Sequence, residues 1–549
     1  MSAGSVPTQP VTSVVGYKTL GGRGGGAMLG ASATGGIIRP GSAVVGVYDP
    51  PTPIPPPRRY NCPHQRPNLV SFHDTSLWPN NVCPAAGMDF SLPANTHVIL
   101  WRNANTFGQH FGVVTVPPGS ALIIGENISH GVSIAATGFI VRGSFLAGSS
   151  TCRLSTRLTI TLHGTRPSTR AALDALPAHA KGISVTGQLE LHGQLYHRTW
   201  TRLARRVQPG DTSVLLQAPV NWVAGQQVVL TTTALKDSRE WHRNEVLTLT
   251  GQVTPPPHGF GSALNLATPA MHAHEANDAW QGEVGLLSRS IIVQGAAGDS
   301  EPTDTSPLAC ADSDWYVLGS TSKSCNNHKT GYGAHVRAAG AAAVLRLSGV
   351  ELRRVGQTNV LGRYPVHFHM MGDVAAPDGG LPRALVRDCA IHRSYYRCVS
   401  VHGTNRSLVS TTVAYDAIGH CYYLEDGVEE YNTFEYNLAA HVHWIGGEPG
   451  RSTGQTCASV DQTDDLLNPA DVTASGFYVT NAQNTLVGNA ASGGWAGFAF
   501  PNLPFAIKLH KSAGFVPMSR DLLRFEGYTP SPRPTSLSYF LILLPCPTS

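Results

Sequence analysis

Three short stretches constrain the fold more than any other part of the chain: Val366-His-Phe-His369, Val399-Ser-Val-His402 and Tyr422-Tyr-Leu-Glu425. Each reads apolar, variable, apolar, polar. Successive side chains of a strand point to opposite faces. Val366 with Phe368, Val399 with Val401 and Tyr422 with Leu424 therefore point inward, and His367, His369, Ser400, His402, Tyr423 and Glu425 point outward. The second and third stretches start 23 residues apart. The first and second start 33 apart, and a Gly/Pro/Asp loop from Gly372 to Pro382 absorbs the difference. One strand per repeat at constant phase is the mark of stacked solenoid coils. Stacking sets His369, His402 and Glu425 side by side, roughly 4.8 Å apart. Two imidazoles and a carboxylate in a row on a rigid face suit acid–base chemistry or a metal ion. A polar ladder that only ties coil to coil has the same composition.

The rest of the chain agrees with a β architecture. Charged residues make up 13%, while glycines number 58 and prolines 39, which suits β coils and turns better than helical bundles. The net charge of +4 gives no basis for a nucleic-acid partner. No run approaches the ~20 apolar residues of a membrane helix, and the first 30 residues lack the apolar core of a signal peptide. Membrane association is thus expected only through segments that this sequence does not contain. The ten cysteines form no CxxC pair, which argues against a zinc ribbon or a thioredoxin site. Dispersed cysteines fit a secreted protein with a few disulfides, or buried free thiols. Cys310 and Cys325 bracket a loop that a disulfide would fix, and Cys389 and Cys398 lie nine apart. Cys398 and Cys421 share a phase on consecutive coils and could instead stack as core thiols. Asn127 and Asn405 head glycosylation triplets.

Residues 1–60 are rich in Gly, Ala and Pro, with GGRGGG and DPPTPIPPPRR, and are expected to be disordered. From Trp78 onward short β-branched runs punctuated by glycine read as many short strands. Thr169 to His179 is the best short helix candidate. After about Gly527 the text YTPSPRPTSLSYFLILLPCPTS leaves the β pattern, as from an imperfect reading of the gene.

Longer strings carry a resemblance. The glycine-punctuated region from about Trp78 to Leu195 resembles the G8 domain. Trp200-Thr201, Asn221-Trp222, Gly225 and Glu283-Val-Gly-Leu-Leu-Ser-Arg289 follow the same family's order. Tyr364-Pro-Val-His-Phe-His369, Arg397-Cys-Val399, His402-Gly-Thr404, Gly419-His420 and Leu424-Glu-Asp-Gly-Val-Glu429 resemble its parallel β-helix section. The resemblance covers about 75 to 525. It implies an all-β fold: a G8-like domain (75–196), a β-rich connecting region (197–340), a right-handed parallel β-helix (341–525) and an atypical tail (528–549). The family includes cell migration-inducing hyaluronan-binding protein, transmembrane protein 2 and fibrocystin-like proteins. It thereby implies an extracellular or cell-surface protein that depolymerises or binds an acidic polysaccharide such as hyaluronan. The alternative it offers is a non-catalytic glycan-binding or adhesion module.

The outward row is the leading site. Glu425 or Asp426 is expected to serve as general acid or base, with His369 and His402 as partner base or orienting groups. Glycoside hydrolysis commonly uses two carboxyl groups, which Glu425 with Asp426 or Asp373 could supply. β-Elimination next to a uronate carboxylate is the other chemistry. Arg363, Arg393 and Arg397 are candidates for such a carboxylate, with His367 and Tyr423 also on the substrate side. His-x-His recurs at 272–274, 367–369 and 441–443. In a strand this spacing suits a metal, and His402 or Glu425 could complete the 367–369 pair. Calcium is possible through Asp312, Asp314, Asp461, Asp464 and Asp465. Tyr395, Tyr396 and Trp444 could stack on sugar rings.

Overall fold

The computed structural model describes residues 59–127, 129–234, 242–254, 261–277, 280–303, 330–443, 474–494, 496–501, 503–527, 529–530 and 541–543. Outside these lie most of the 1–60 tract, most of the 528–549 tail, the Cys310/Cys325 pair, the five aspartates named for calcium and Trp444.

The described chain is nearly all β and winds as a three-ladder parallel solenoid. The first ladder holds eleven strands from Leu69–Ser71 to Arg524–Glu526, each paired in parallel with the next. A typical coil runs Ala384–Arg387, Ala390–Ser394, Val399–Asn405. The next coil, Leu408–Ser410, Val413–Ile418, Tyr422–Leu424, pairs with it strand for strand. Apolar residues recur at alternate positions because the lumen is filled by side chains and only alternate positions reach it. Val366, Phe368, Val399, Val401, Tyr422 and Leu424 lie in one continuous core, all at most 1% exposed. The inward half of the expected pattern is therefore observed. The core extends back to Phe72 and Val98, so the same parallel stacking underlies the N-terminal region.

Two devices stack with the coils. Inside the lumen, Tyr422, Phe477 and Phe498 lie face to face with centroids 4.7 Å apart at each step. At the turns, buried asparagines satisfy backbone amides of the neighbouring coil. The Asn437 carbonyl accepts from the Thr412 N–H at 3.0 Å, and the Asn489 carbonyl accepts from the Asn437 N–H at 2.9 Å. Asn432 and Asn484 repeat the arrangement. A buried turn amide left unpaired costs about 1–3 kcal/mol, which is what this ladder avoids.

Between Gln188–His192 and Ile291–Gly295 the chain leaves the solenoid to build a six-stranded antiparallel sheet. That sheet has its own core around Trp222, Val228 and Leu264. It docks on the second ladder through Val229 and Leu287 against Val413, Tyr415 and Leu438. His272 and His274 belong to this insert. His274 is fully buried, with Nε2 2.9 Å from Glu245 and Nδ1 2.8 Å from the Thr231 carbonyl, a structural role rather than a metal site.

Disulfides join Cys62 to Cys152 and Cys398 to Cys421. The second corrects both expectations for Cys398: it is not bridged to Cys389 and is not a free core thiol. Parallel stacking places residues 23 apart in sequence within bonding reach. Cys389 is a buried free thiol, and burial pushes it up to about 11.

One acid-sensitive contact ties the first ladder together. Glu190 receives Gln188 and Arg346 at 2.8 Å and lies 3.0 Å from His192. Burial alone would raise its carboxyl, but these partners hold it at about 2. A carboxyl lowered on folding stabilises the native state above its unfolded value and loses that contribution as pH falls towards the folded one. Between pH 4.5 and 2 the native chain is expected to lose on the order of 1–3 kcal/mol through this group. A Glu190→Gln variant should show a correspondingly flatter loss of thermal midpoint over the same range.

Candidate active site

The site grows from the third ladder. Register pairs His367 with Ser400, His369 with His402, and Val401 with Leu424. Arg337, on the preceding coil, is paired with His367. Glu425 follows directly after Leu424, so it continues the His369–His402 column. The expected row is thus assembled by the register, and its residues point away from the lumen as the alternation requires.

They do not point into open solvent, however. The segment Leu503–Ser519 folds back over this face: the Ile507 N–H donates to the Asp426 carbonyl at 3.0 Å. It brings Lys508 to Glu425, Nζ to Oε1 2.9 Å, and His510 to Asp426, Nδ1 to Oδ2 2.9 Å. The short helix Arg170–Asp174 and residues 176–178 form the opposite wall. Between them opens a cavity of about 670 Å³ lined by His335, Arg337, Arg363, His367, His369, His402, Glu425 and Lys508, with Asp174 on the helix side.

His367 Nδ1–H donates to the Gly362 carbonyl 3.0 Å away; a carbonyl can only accept, so Nδ1 carries the proton. His369 Nδ1 lies 3.0 Å from His402 Nδ1. His402 Nε2 lies 2.9 Å from Asp426 Oδ2. Glu425 accepts from the Tyr364 hydroxyl at 3.2 Å as well as from Lys508. Burial disfavours the Glu425 anion, but Lys508, His402 and His367 outweigh it and hold the carboxyl well below the usual range. Lys508 is penalised by burial and more than compensated by Glu425, so its ammonium is strengthened. Burial, helped by Arg337, lowers His369 to about 4. Burial and the Glu425 charge push Tyr364 up to about 12.

Of the expected residues, His367, His369, His402, Glu425 and Arg363 line the cavity. Asp426 lies behind it, fully buried against His402 and His510. Arg397 and Tyr423 need correction as substrate contacts, since both are fully buried. The Arg397 guanidinium sits 3.7 Å above the Tyr423 ring and holds the coils together from outside the lumen. Arg363 spends its guanidinium on the Leu176, Pro177 and Ala180 carbonyls, which fixes the opposite wall. Arg393 pairs with Glu301, and the exposed Asp373 with Arg406, both away from the cavity. Tyr395 and Tyr396 are buried, not sugar platforms. His441 and His443 lie on the second ladder, His443 3.3 Å from Asp416. Asn127 donates its amide to the Trp101 carbonyl at 3.0 Å, and Asn405 accepts from the Glu430 N–H at 2.9 Å. Sequence reasoning missed Arg337, His335, Tyr364, Lys508 and His510 as site residues. Lys508 and His510 reach the row from more than 80 residues away, and no local pattern announces that contact.

Comparison with known proteins agrees with this architecture. A family model described as the CEMIP beta-helix matches residues 331–529, and the G8 domain model matches 77–204. Protein rliB of Dictyostelium discoideum is 35% identical over 495 residues, spanning 90% of this chain and 40% of that protein. Communication mutant protein F of the same organism is 34% identical over 496 residues, with the same two shares. Fibrocystin-L of Homo sapiens is 32% identical over 380 residues, 64% of this chain and 8% of that protein. The chain therefore spans about two fifths of the length of the first two relatives. Among solved structures, the tailspike gp61 of Pseudomonas phage phi297 aligns at 8% identity and a TM-score of 0.18, over 71% of this chain and 58% of that one; a likeness that distant carries no argument. No helix among the described residues is long and apolar enough to cross a membrane. With a G8 domain, a CEMIP-type beta-helix and relatives that share most of its length, the chain belongs to the family of G8 domain-containing proteins.

Proposed function

We propose that the cavity on the third ladder binds and shortens an acidic polysaccharide. The observation that carries this reading is the composition of one rigid floor. Four imidazoles, the Glu425 carboxylate and the cations Lys508 and Arg337 converge on a cavity of about 670 Å³, in a chain with only 13% charged residues. Arg337 lines that cavity, and a guanidinium is a planar donor suited to a uronate carboxylate. The family resemblance supplies the substrate class, with hyaluronan as one candidate. The two disulfides support an extracellular location.

The floor favours elimination over two-carboxylate hydrolysis. Glu425 is the one floor carboxylate, and one of its oxygens is already taken by Lys508 and Tyr364. In elimination, cations hold the uronate carboxylate, and a basic nitrogen removes the proton next to it. That electron pair forms the new ring double bond, the β C–O bond breaks, and the leaving oxygen takes up a proton from the protonated nitrogen or from water, which releases the shortened chain as an alcohol.

The test is chain-length analysis of hyaluronan, chondroitin, pectin and alginate after incubation with the chain, with ultraviolet detection of unsaturated uronate ends. One polymer should shorten and gain absorbance. Arg337→Gln should lower kcat/KM on that polymer about 10- to 100-fold, mainly through KM. Shortening without absorbance would replace elimination by hydrolysis. Retention of a polymer with no shortening would favour the binding-module reading, and neither retention nor shortening would overturn the proposal.

A further inference from the structure

We propose that His367, His369, His402 and Glu425 form a site for a divalent transition-metal ion of the zinc type. Each of the three histidines offers one ring nitrogen within 4.8 Å of the others. His369 Nδ1 and His402 Nδ1 are 3.0 Å apart. Glu425 Oε2 lies 3.6 Å from His367 Nε2 and 3.9 Å from His402 Nδ1. Zinc–nitrogen bonds of about 2.0–2.1 Å place tetrahedral ligands about 3.3–3.4 Å from one another. The three separations of 3.0, 3.6 and 3.9 Å bracket that spacing.

Two further observations point to an ion. His367 Nε2 and Glu425 Oε2 are buried and have no hydrogen-bond partner among the described residues. Their residues are only 1% and 3% exposed. Buried polar atoms aimed at one point without partners are expensive, and a cation between them removes the cost. The outward nitrogens are also held as metal ligands require. His367 Nδ1–H donates to the Gly362 carbonyl, and His402 Nε2–H donates to Asp426, which His510 also contacts. Such carboxylate and carbonyl partners fix the tautomer and aim of a ligating imidazole. In the metal-free chain the His369–His402 contact is a hydrogen bond. When an ion binds, the His369 proton moves from Nδ1 to Nε2, and both Nδ1 lone pairs face the ion with no net proton release. Three imidazoles with one carboxylate select zinc, copper, nickel or iron over calcium.

The ligands stand on adjacent rigid strands, so the site needs no folding of loops around the ion. A bound cation would face the cavity and could take a uronate carboxylate as a further ligand; that clause alone rests on the proposed function. Two of the other three compact groups do not compete, and the third, Asp416–His441–His443 on the second ladder, is told apart by the His443→Gln variant below. The Cys62–His64–Cys152 group has its sulfurs in a disulfide. The His402–Asp426–His510 group is closed by its own hydrogen bonds.

The experiment needs no polysaccharide. The purified chain is loaded with zinc chloride, desalted and assayed for bound metal. X-ray absorption at the zinc edge is then recorded on the unsubstituted protein. One equivalent, with scattering from about three imidazoles, is expected. Asp426→Asn should weaken zinc binding about 10- to 100-fold, His367→Gln by more, and His443→Gln on the second ladder not at all. Less than a tenth of an equivalent, a spectrum without imidazole scattering, or full retention in a folded His367→Gln variant would overturn the site. Because the spectrum is taken on the unsubstituted chain, a variant that fails to fold leaves the test intact. A polymer assay without turnover would not alter it.

Discussion

Lys508→Met, measured in chelator, is expected to destabilise the chain by about 3–5 kcal/mol, and the double variant Lys508→Met/Glu425→Gln to regain most of that loss. The Lys508 ammonium and Glu425 carboxylate are 2.9 Å apart with side chains only 15% and 4% exposed. Removing one partner strands a buried charge, whereas neutralising both removes the problem. Tyr364, His367 and His402 stay beside Glu425, so the lower end of the range is the better guide. A urea-unfolding cycle of wild type, both single variants and the double variant gives the coupling directly. A single-variant loss below about 1 kcal/mol is the behaviour of a surface pair. It would mean that residues 503–519 do not seal this face.

The second large effect lies in the lumen. Phe477 is 1% exposed at the centre of the Tyr422–Phe477–Phe498 stack. Phe477→Ala removes a ring whose volume the rigid coils cannot refill, at a cost of about 3–5 kcal/mol. Solenoid coils contact mainly their neighbours, so the loss should be local. Amide exchange should accelerate in strands from Thr433–Glu435 onward, while the coils around Val98, Phe145 and Leu189 keep their protection. Uniform acceleration along the chain would show that the solenoid and its insert unfold as one unit.

These contrasts mark what the sequence discloses. A period of one strand per coil is a local property, so the inward faces of Val366-His-Phe-His369 and its repeats were legible, and with them the His369–His402–Glu425 column. Outward, however, is not the same as exposed. Tyr423 and Arg397 face away from the lumen yet are covered by each other and by Tyr364, Tyr396 and Lys508. Which outward residues remain open depends on what folds back over them. That is a long-range contact set by Leu503–Ser519 and by the wall at residues 173–178. The Cys398–Cys421 disulfide was hidden for a related reason: equal phase on consecutive coils suits stacked thiols and a bond equally well. The asparagine ladder of Asn432, Asn437, Asn484 and Asn489 reads in sequence as ordinary turn residues, and becomes a structural device only when the coils are stacked.

The most direct test of the central claim is difference hydrogen exchange on the intact chain with and without short hyaluronan and polygalacturonate oligosaccharides. Binding at the third-ladder cavity predicts added protection in three separate segments: 360–369, 400–405 and 505–510. Each of them contributes residues to the lining of that cavity. Protection confined to the six-stranded insert or to the first ladder, with these three segments unchanged, would contradict the assignment and move the glycan site elsewhere on the molecule.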